Sequence, residues 1–150
     1  MPKMIPLKSW VCDSCHQLVG INDGWLEWLS PQDSGPHSYR ICHNRAKCQK
    51  HTNAYDRADM HIREFLEADG LQSFLSNLDI GPLLDPDQKY MPHLPDMRSF
   101  VEAVRRLQIP FYEEARLYFD KAIDDGYFAD QNEVGVFLPQ TCKAIIAGYE

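Results

Sequence analysis

The main change of period in the hydrophobic and polar positions of this chain falls near residue 54. Before that point the apolar positions fall in short alternating runs. Gly24-Trp-Leu-Glu-Trp-Leu29 reads as an aromatic-rich strand, closed by Ser30-Pro31 and the turn-forming Gln32 to Pro36. His37-Ser-Tyr-Arg-Ile-Cys-His43 then alternates, with Tyr39, Ile41 and His43 on one face. The two runs predict an antiparallel hairpin. His16 to Gly20 reads as a further short β-like run, and Asn44 to Asn53 is polar and without period.

From about Ala54 the pattern becomes helical. Ile62, Phe65 and Leu66 fall on one face of a helix that Asp59 would cap, with Asp69-Gly70 interrupting it. Leu71, Phe74, Leu75 and Leu78 continue the stripe to Gly81-Pro82. Four prolines between 82 and 95 predict an irregular connection. Asp96 is a suitable N-cap for a helix whose inner face is Phe100, Val101, Val104 and Leu107. Pro110 suits the first turn of another, carrying Phe111, Ala115, Tyr118, Phe119 and Ala122 as a broad apolar stripe that Gly126 ends. Glu133 to Leu138 reads as a short strand, and Gln140 to Ala147 as a last helix with Ile145 and Ile146 inward. The expected fold is α+β: a small N-terminal β-hairpin module, residues 1–54, packed on a mostly helical domain, residues 55–150.

Charge sharpens that division. The chain has 150 residues and a net charge of −7. Residues 1–63 carry eight basic and six acidic side chains, residues 64–150 seven and sixteen. Arg40, Arg45, Lys47 and Lys50 make one locally basic segment, an anion contact or a solvated face. No apolar run approaches the ~20 residues that span a bilayer, and the N-terminus lacks the apolar block of a signal peptide. A soluble, cytoplasmic protein without membrane contact is expected.

Cysteine and histidine carry the chemistry. Four of the five cysteines and five of the six histidines lie within the first 61 residues. An odd cysteine count without a secretion signal argues against a disulfide framework. Cys12-x-x-Cys15 is followed by too short and too β-like a run to be a redox pair at a helix N-terminus. Two cysteines at this spacing let one tight turn present both thiolates to a single ion, and a tetrahedral structural site needs two more ligands. The returning hairpin leads into Cys42-His43-Asn-Arg-Ala-Lys-Cys48-Gln-Lys-His51. Cys48 sits in a polar loop with no apolar role. Cys42 and His43 point to opposite strand faces, and Cys42 can be buried as a small hydrophobe, which favours His43 over Cys42 or His51. The expected ligands are Cys12, Cys15, His43 and Cys48, holding a structural zinc. This arrangement resembles the zinc-ribbon and rubredoxin-like modules over residues 9–52, and that resemblance implies a metal-stabilised β-hairpin module without defining an activity.

Three functional readings remain. The first is a zinc-stabilised binding or adaptor protein with a protein partner. The second is nucleic-acid binding through the basic segment 40–50 and the aromatic hairpin of Trp10, Trp25 and Trp28, against which the overall charge argues. The third is a metal-dependent hydrolase or nuclease using Asp56, His61 and Glu64, with His61 and Glu64 as helical neighbours. His51-Thr-Asn53 is similar to a fragment of the HNH nuclease motif but lacks its preceding strand-borne histidine. Against the third reading, Asp56 and Asp59 suit a helix N-terminus electrostatically. Glu113-Glu114 is expected on a solvated helix face, and Cys142 in the core.

Overall fold

A computed structural model describes residues 3–31, 33–51, 55–79, 81–83 and 94–150. Its first element is a short antiparallel pair, β1 (Ser9–Val11) and β2 (Leu18–Gly20), in which Trp10 faces Val19 across the ladder. The connection between them is the Cys12-to-Cys15 turn. A second sheet contains β3 (Gly24–Leu29) and β4 (His37–His43), antiparallel with Leu26 opposite Ile41 and Gly24 opposite His43. The predicted hairpin is therefore present, and the fold is the expected mixture of small antiparallel sheets and helices.

The sheet has a third strand where a helix was predicted. Arg57–His61 forms β5, antiparallel to β3, giving the strand order β4-β3-β5. Its register places Arg57 opposite Leu29, Asp59 opposite Glu27 and His61 opposite Trp25. Asp59, read as a helix-capping group, instead shares one sheet face with Arg57 and Glu27. Arg57 pairs with Asp59 at 2.8 Å and reaches the buried Glu27 at 3.7 Å. Pairing with β3, whose residues lie 28 to 36 positions away, outweighs the local capping preference.

Helical structure starts only at Ile62–Phe65, a 3₁₀ turn, followed by α1 (Glu67–Leu75). Gly70 lies inside α1 and does not interrupt it. A Cβ there would stand 1.9 Å from the Phe65 carbonyl carbon, so only glycine lets α1 fold back on the preceding turn. α1 buries Gly70 and Phe74, while Leu71, Leu75 and Leu78 of the predicted stripe are 43%, 45% and 42% exposed. Most of the proline-rich connection lies outside the described residues.

α2 (Met97–Gln108) starts as predicted, with Asp96 Oδ1 accepting a hydrogen bond from the Ser99 amide at 3.1 Å. Its buried positions are Phe100, Ala103, Arg106 and Leu107, with Val101 and Val104 half-buried at the margin. This face closes over the sheet. Tyr39 stacks on Trp28 and meets Phe100 edge-on, and Phe74 joins Phe100 to Phe65, so aromatic rings link the hairpin to α1 and α2. One apolar cluster thus contains Trp10, Leu26 and Ile41 together with Phe74, Phe100 and Leu107.

A second apolar cluster is helical throughout. The stripe predicted as one helix divides into α3 (Tyr112–Ala115), a 3₁₀ turn (Arg116–Tyr118) and α4 (Phe119–Asp124). Phe111 enters it in a left-handed conformation, with φ 69°. α5 (Pro139–Tyr149) packs Cys142, Ile145 and Ile146 against Tyr112 and Ala115, as its pattern predicts. The strand expected at Glu133 to Leu138 is a 3₁₀ turn, Gly135–Phe137. Asn132 Oδ1 accepts from the amides of Val134 and Gly135 at 3.1 and 2.8 Å, which curls the chain before it can extend.

Candidate metal centre

The β1–β2 connection is shaped by its own backbone. The Cys12 amide donates to the Gln17 carbonyl, and the His16 amide donates back to the Cys12 carbonyl, each at 2.9 Å. His16 takes a left-handed conformation, φ 58°, to complete the turn. Asp13 then fixes the turn to β4: its amide donates to the Ile41 carbonyl and its carboxylate accepts from the Ile41 amide, both at 2.8 Å. The second ligand-bearing turn follows β4, where the Cys48 amide donates to the Arg45 carbonyl at 2.9 Å. Ser14 Oγ donates to the Cys48 carbonyl and accepts from Arg40 Nη2, joining the two turns.

These elements bring together the ligand atoms of Cys12, Cys15, His43 and Cys48, all within 4.8 Å of one another. His43 Nδ1 stands 3.5 Å from Cys15 Sγ and 3.8 Å from Cys48 Sγ. A tetrahedral ion with the usual zinc bond lengths sets an S···N edge of about 3.6 Å, so the residues fit a bound metal. The other ring nitrogen, Nε2, lies 3.1 Å from the Leu18 carbonyl. Donating there fixes the tautomer and leaves Nδ1 free to coordinate. Cys12 and Cys48 are fully buried, His43 is nearly so, and Cys15 is half-buried.

The thiols are poised differently. The Gln17 amide, ahead of the partial burial that opposes it, lowers the Cys15 thiol to about 6, with help from the neighbouring thiols and Arg45. Burial raises Cys12 despite amide contacts from Cys15, Ser14 and His43. Amides directed at sulfur favour thiolates, the form a metal requires.

The two alternative fourth ligands lie outside this cluster. Cys42 is opposite Trp25 in the hairpin and fully buried, and burial together with the Glu27 charge pushes its thiol up to about 12. His51 Nε2 lies 3.4 Å from the Ser38 carbonyl.

Half of the basic segment, Arg40 and Arg45, is engaged internally. Arg40 pairs with the fully buried Glu27 at 2.9 Å, and Glu27 also accepts from the Lys50 amide at 3.0 Å. Arg45 donates from Nε to Cys48 Sγ at 3.3 Å and from Nη2 to Cys15 Sγ at 3.6 Å. Its anion contact is the candidate metal centre itself.

Asp56, His61 and Glu64 do not converge. Asp56 precedes β5 and His61 ends it, and at ~3.3 Å per residue an extended strand separates them by about 16 Å. The His61 ring packs on Trp25 with centroids 4.6 Å apart, and Glu64 is exposed beside Arg63 at 3.6 Å. His61 and Glu64 are not helical neighbours, because the helix read across 61–64 is a strand end and a 3₁₀ turn. Thr52 and Asn53 lie outside the described residues.

Besides the buried Glu27, an ionic group around Arg106 escaped sequence reasoning. Glu113, expected in solvent, is 5% exposed and accepts from Arg106 Nε and Nη2 at 2.7 and 2.9 Å. Arg106 Nη1 also bonds Asp13, inside the Cys12-to-Cys15 turn.

Fold and site together describe an α+β chain whose Cys₃His cluster could hold a metal ion. Among protein-family models, curated proteins and solved structures, none matches the chain. No helix among the described residues is long and apolar enough to cross a membrane.

Proposed function

We propose that this chain is a zinc-stabilised intracellular binding or adaptor protein, in which zinc is structural and the partner is another protein. The observation that carries this reading is the closed set of four side-chain donors, three sulfurs and one imidazole nitrogen, drawn within 4.8 Å. Soft thiolates in a tetrahedral set suit zinc, and a site filled by four side chains keeps no position for an activated water. Cys12, Cys15, His43 and Cys48 would hold the ion, whose contribution is folding energy for the small strands around it.

Two observations support a protein partner over nucleic acid. Arg40 and Arg45, half of the basic segment, are engaged by Glu27 and by the cysteine sulfurs. Leu71, Leu75 and Leu78 present apolar side chains to solvent along and just beyond α1. Elemental analysis of the purified chain tests the metal: one zinc per chain is expected, and a metal-free protein with freely alkylated Cys12 and Cys48 overturns the reading. Oligonucleotide titration tests the partner class. Submicromolar, steeply salt-dependent affinity that falls when Lys47 and Lys50 are neutralised would favour nucleic acid.

A further inference from the structure

Three thiolates around a divalent cation leave one net negative charge, and the chain places one cation against it. Arg45 lies in the turn between two ligands, and its backbone is held from both sides. Its amide donates to the His43 carbonyl at 2.8 Å, while its carbonyl accepts from the Cys48 amide at 2.9 Å and the Gln49 amide at 3.2 Å. The side chain therefore leaves from a fixed point, and its fork reaches Cys48 Sγ with Nε and Cys15 Sγ with Nη2. Nη2 also approaches His43 Nδ1 at 3.4 Å, so one guanidinium lies over three of the four donors.

Burial says which side this is. Cys12, His43 and Cys48 are enclosed, whereas Cys15 is half-buried and Arg45 is exposed. Cys15 is thus where a competing thiol or chelator would enter, and Arg45 stands there. An exposed arginine–carboxylate pair contributes little. Here the acceptors are metal-ligand sulfurs, where partners of the ligands commonly change affinity by about 10- to 100-fold.

We infer that Arg45 is the retention residue of the Cys12, Cys15, His43 and Cys48 centre: its guanidinium neutralises the excess thiolate charge, covers the Cys15 side, and slows transfer of the held metal to competing ligands. This rests on the zinc reading above. It assigns Arg45 a positioning and protective role, distinct from the solvated lysines of the same loop.

The test uses the zinc-loaded full chain and its Arg45→Ala, Arg45→Lys and Lys47→Ala variants. Zinc transfer to excess chromophoric chelator is followed in time, and maleimide labelling is mapped by mass spectrometry. Arg45→Ala should release zinc about tenfold faster and label first at Cys15. Arg45→Lys, which keeps the charge but loses the fork, should fall between. Lys47→Ala should match the wild type. Added salt should speed release from the wild type more than from Arg45→Ala. Equal rates for wild type and Arg45→Ala, each at one zinc per chain, overturn the inference, as does equal acceleration by Lys47→Ala. A wild-type protein that holds no zinc instead overturns the metal reading on which it rests.

Discussion

Arg106 of α2 grips both carboxylate oxygens of Asp13, at 3.0 and 2.7 Å, from a position 5% exposed to solvent. Asp13 lies between the two cysteines of the β1–β2 turn. The same guanidinium binds Glu113 and, through Nη2, the Val11 carbonyl at 3.0 Å. The Val11 amide in turn donates to Glu113 at 2.8 Å, and Trp10 Nε1 to the Arg106 carbonyl at 2.9 Å. Burial disfavours the Arg106 charge, but the Glu113 and Asp13 carboxylates outweigh it and raise its pKa.

Removing this cation should be costly. Arg106→Met strips the buried Glu113 carboxylate of its bidentate partner, leaving it Arg116 Nε at 2.9 Å and the Val11 amide, and should destabilise the chain by up to about 3–5 kcal/mol. Arg106→Met combined with Glu113→Gln should cost less than Arg106→Met alone, because the buried carboxylate that lost its bidentate partner is then neutral. Urea denaturation of the wild type, the two single variants and the double variant checks both statements. Additive losses would show that the two side chains act independently.

His43 and His51 should separate cleanly. His43→Gln is expected to lose stoichiometric zinc, while His51→Gln keeps it; Cys48→Ser should behave like the former and Cys42→Ala like the latter. Cys42→Ala should still cost about 1 kcal/mol from lost packing. Metal content and thermal melting of the four variants decide the matter. Zinc retained by His43→Gln would move the fourth ligand elsewhere.

Chelation should loosen the two ligand-bearing turns before the rest of the chain. Hydrogen exchange after metal removal is expected to rise most over residues 9–20 and 37–51, with α5 retaining its protection. Uniform loss of protection would mean that the second apolar cluster also depends on the ion.

Cys142 should be inert in the folded protein. Burial pushes its thiol from the ordinary 9.0 up to about 11. The folded state therefore binds the proton more tightly than the unfolded one. Stability from this group is intact below pH 9.0 and lost as pH rises through about 11. Maleimide should label Cys142 only on unfolding, and Cys142→Ala should flatten the alkaline fall in stability. Rapid native labelling at neutral pH would contradict this burial.

The parts of the molecule legible in its sequence are those whose causes are local. Cys12-x-x-Cys15 closes a turn by spacing alone, and the alternation from His37 to His43 puts His43 on the face opposite to Cys42. Asp96 caps α2 by accepting from the amide three residues on, and Ile145 and Ile146 follow the period of α5. What escaped depends on distant partners. Arg57 to His61 has the charges of a helix start and becomes a strand only because β3 offers Glu27 and Trp25 across the ladder. Glu113 looks solvated until Arg106 and the distant Val11 amide reach it. Its sole local signal is Arg106 itself, a cation falling among the buried positions of α2. The leucines after Gly70 have core periodicity, yet the close seat of Gly70 on Phe65 turns only Phe74 inward.

The ladder partner of His43 is Gly24, and that of its neighbour Cys42 is Trp25. Because adjacent strand residues face opposite ways, sliding β4 by one position would present a thiol where the imidazole belongs and turn the imidazole away. A held ion would therefore proofread the hairpin. It rewards one alignment of β3 and β4 over its nearest competitors, and does so after the strands have met, since Cys12 and Cys48 are brought together only once the intervening chain has folded back. Metal capture in this molecule would be a certificate of correct pairing as well as a source of stability.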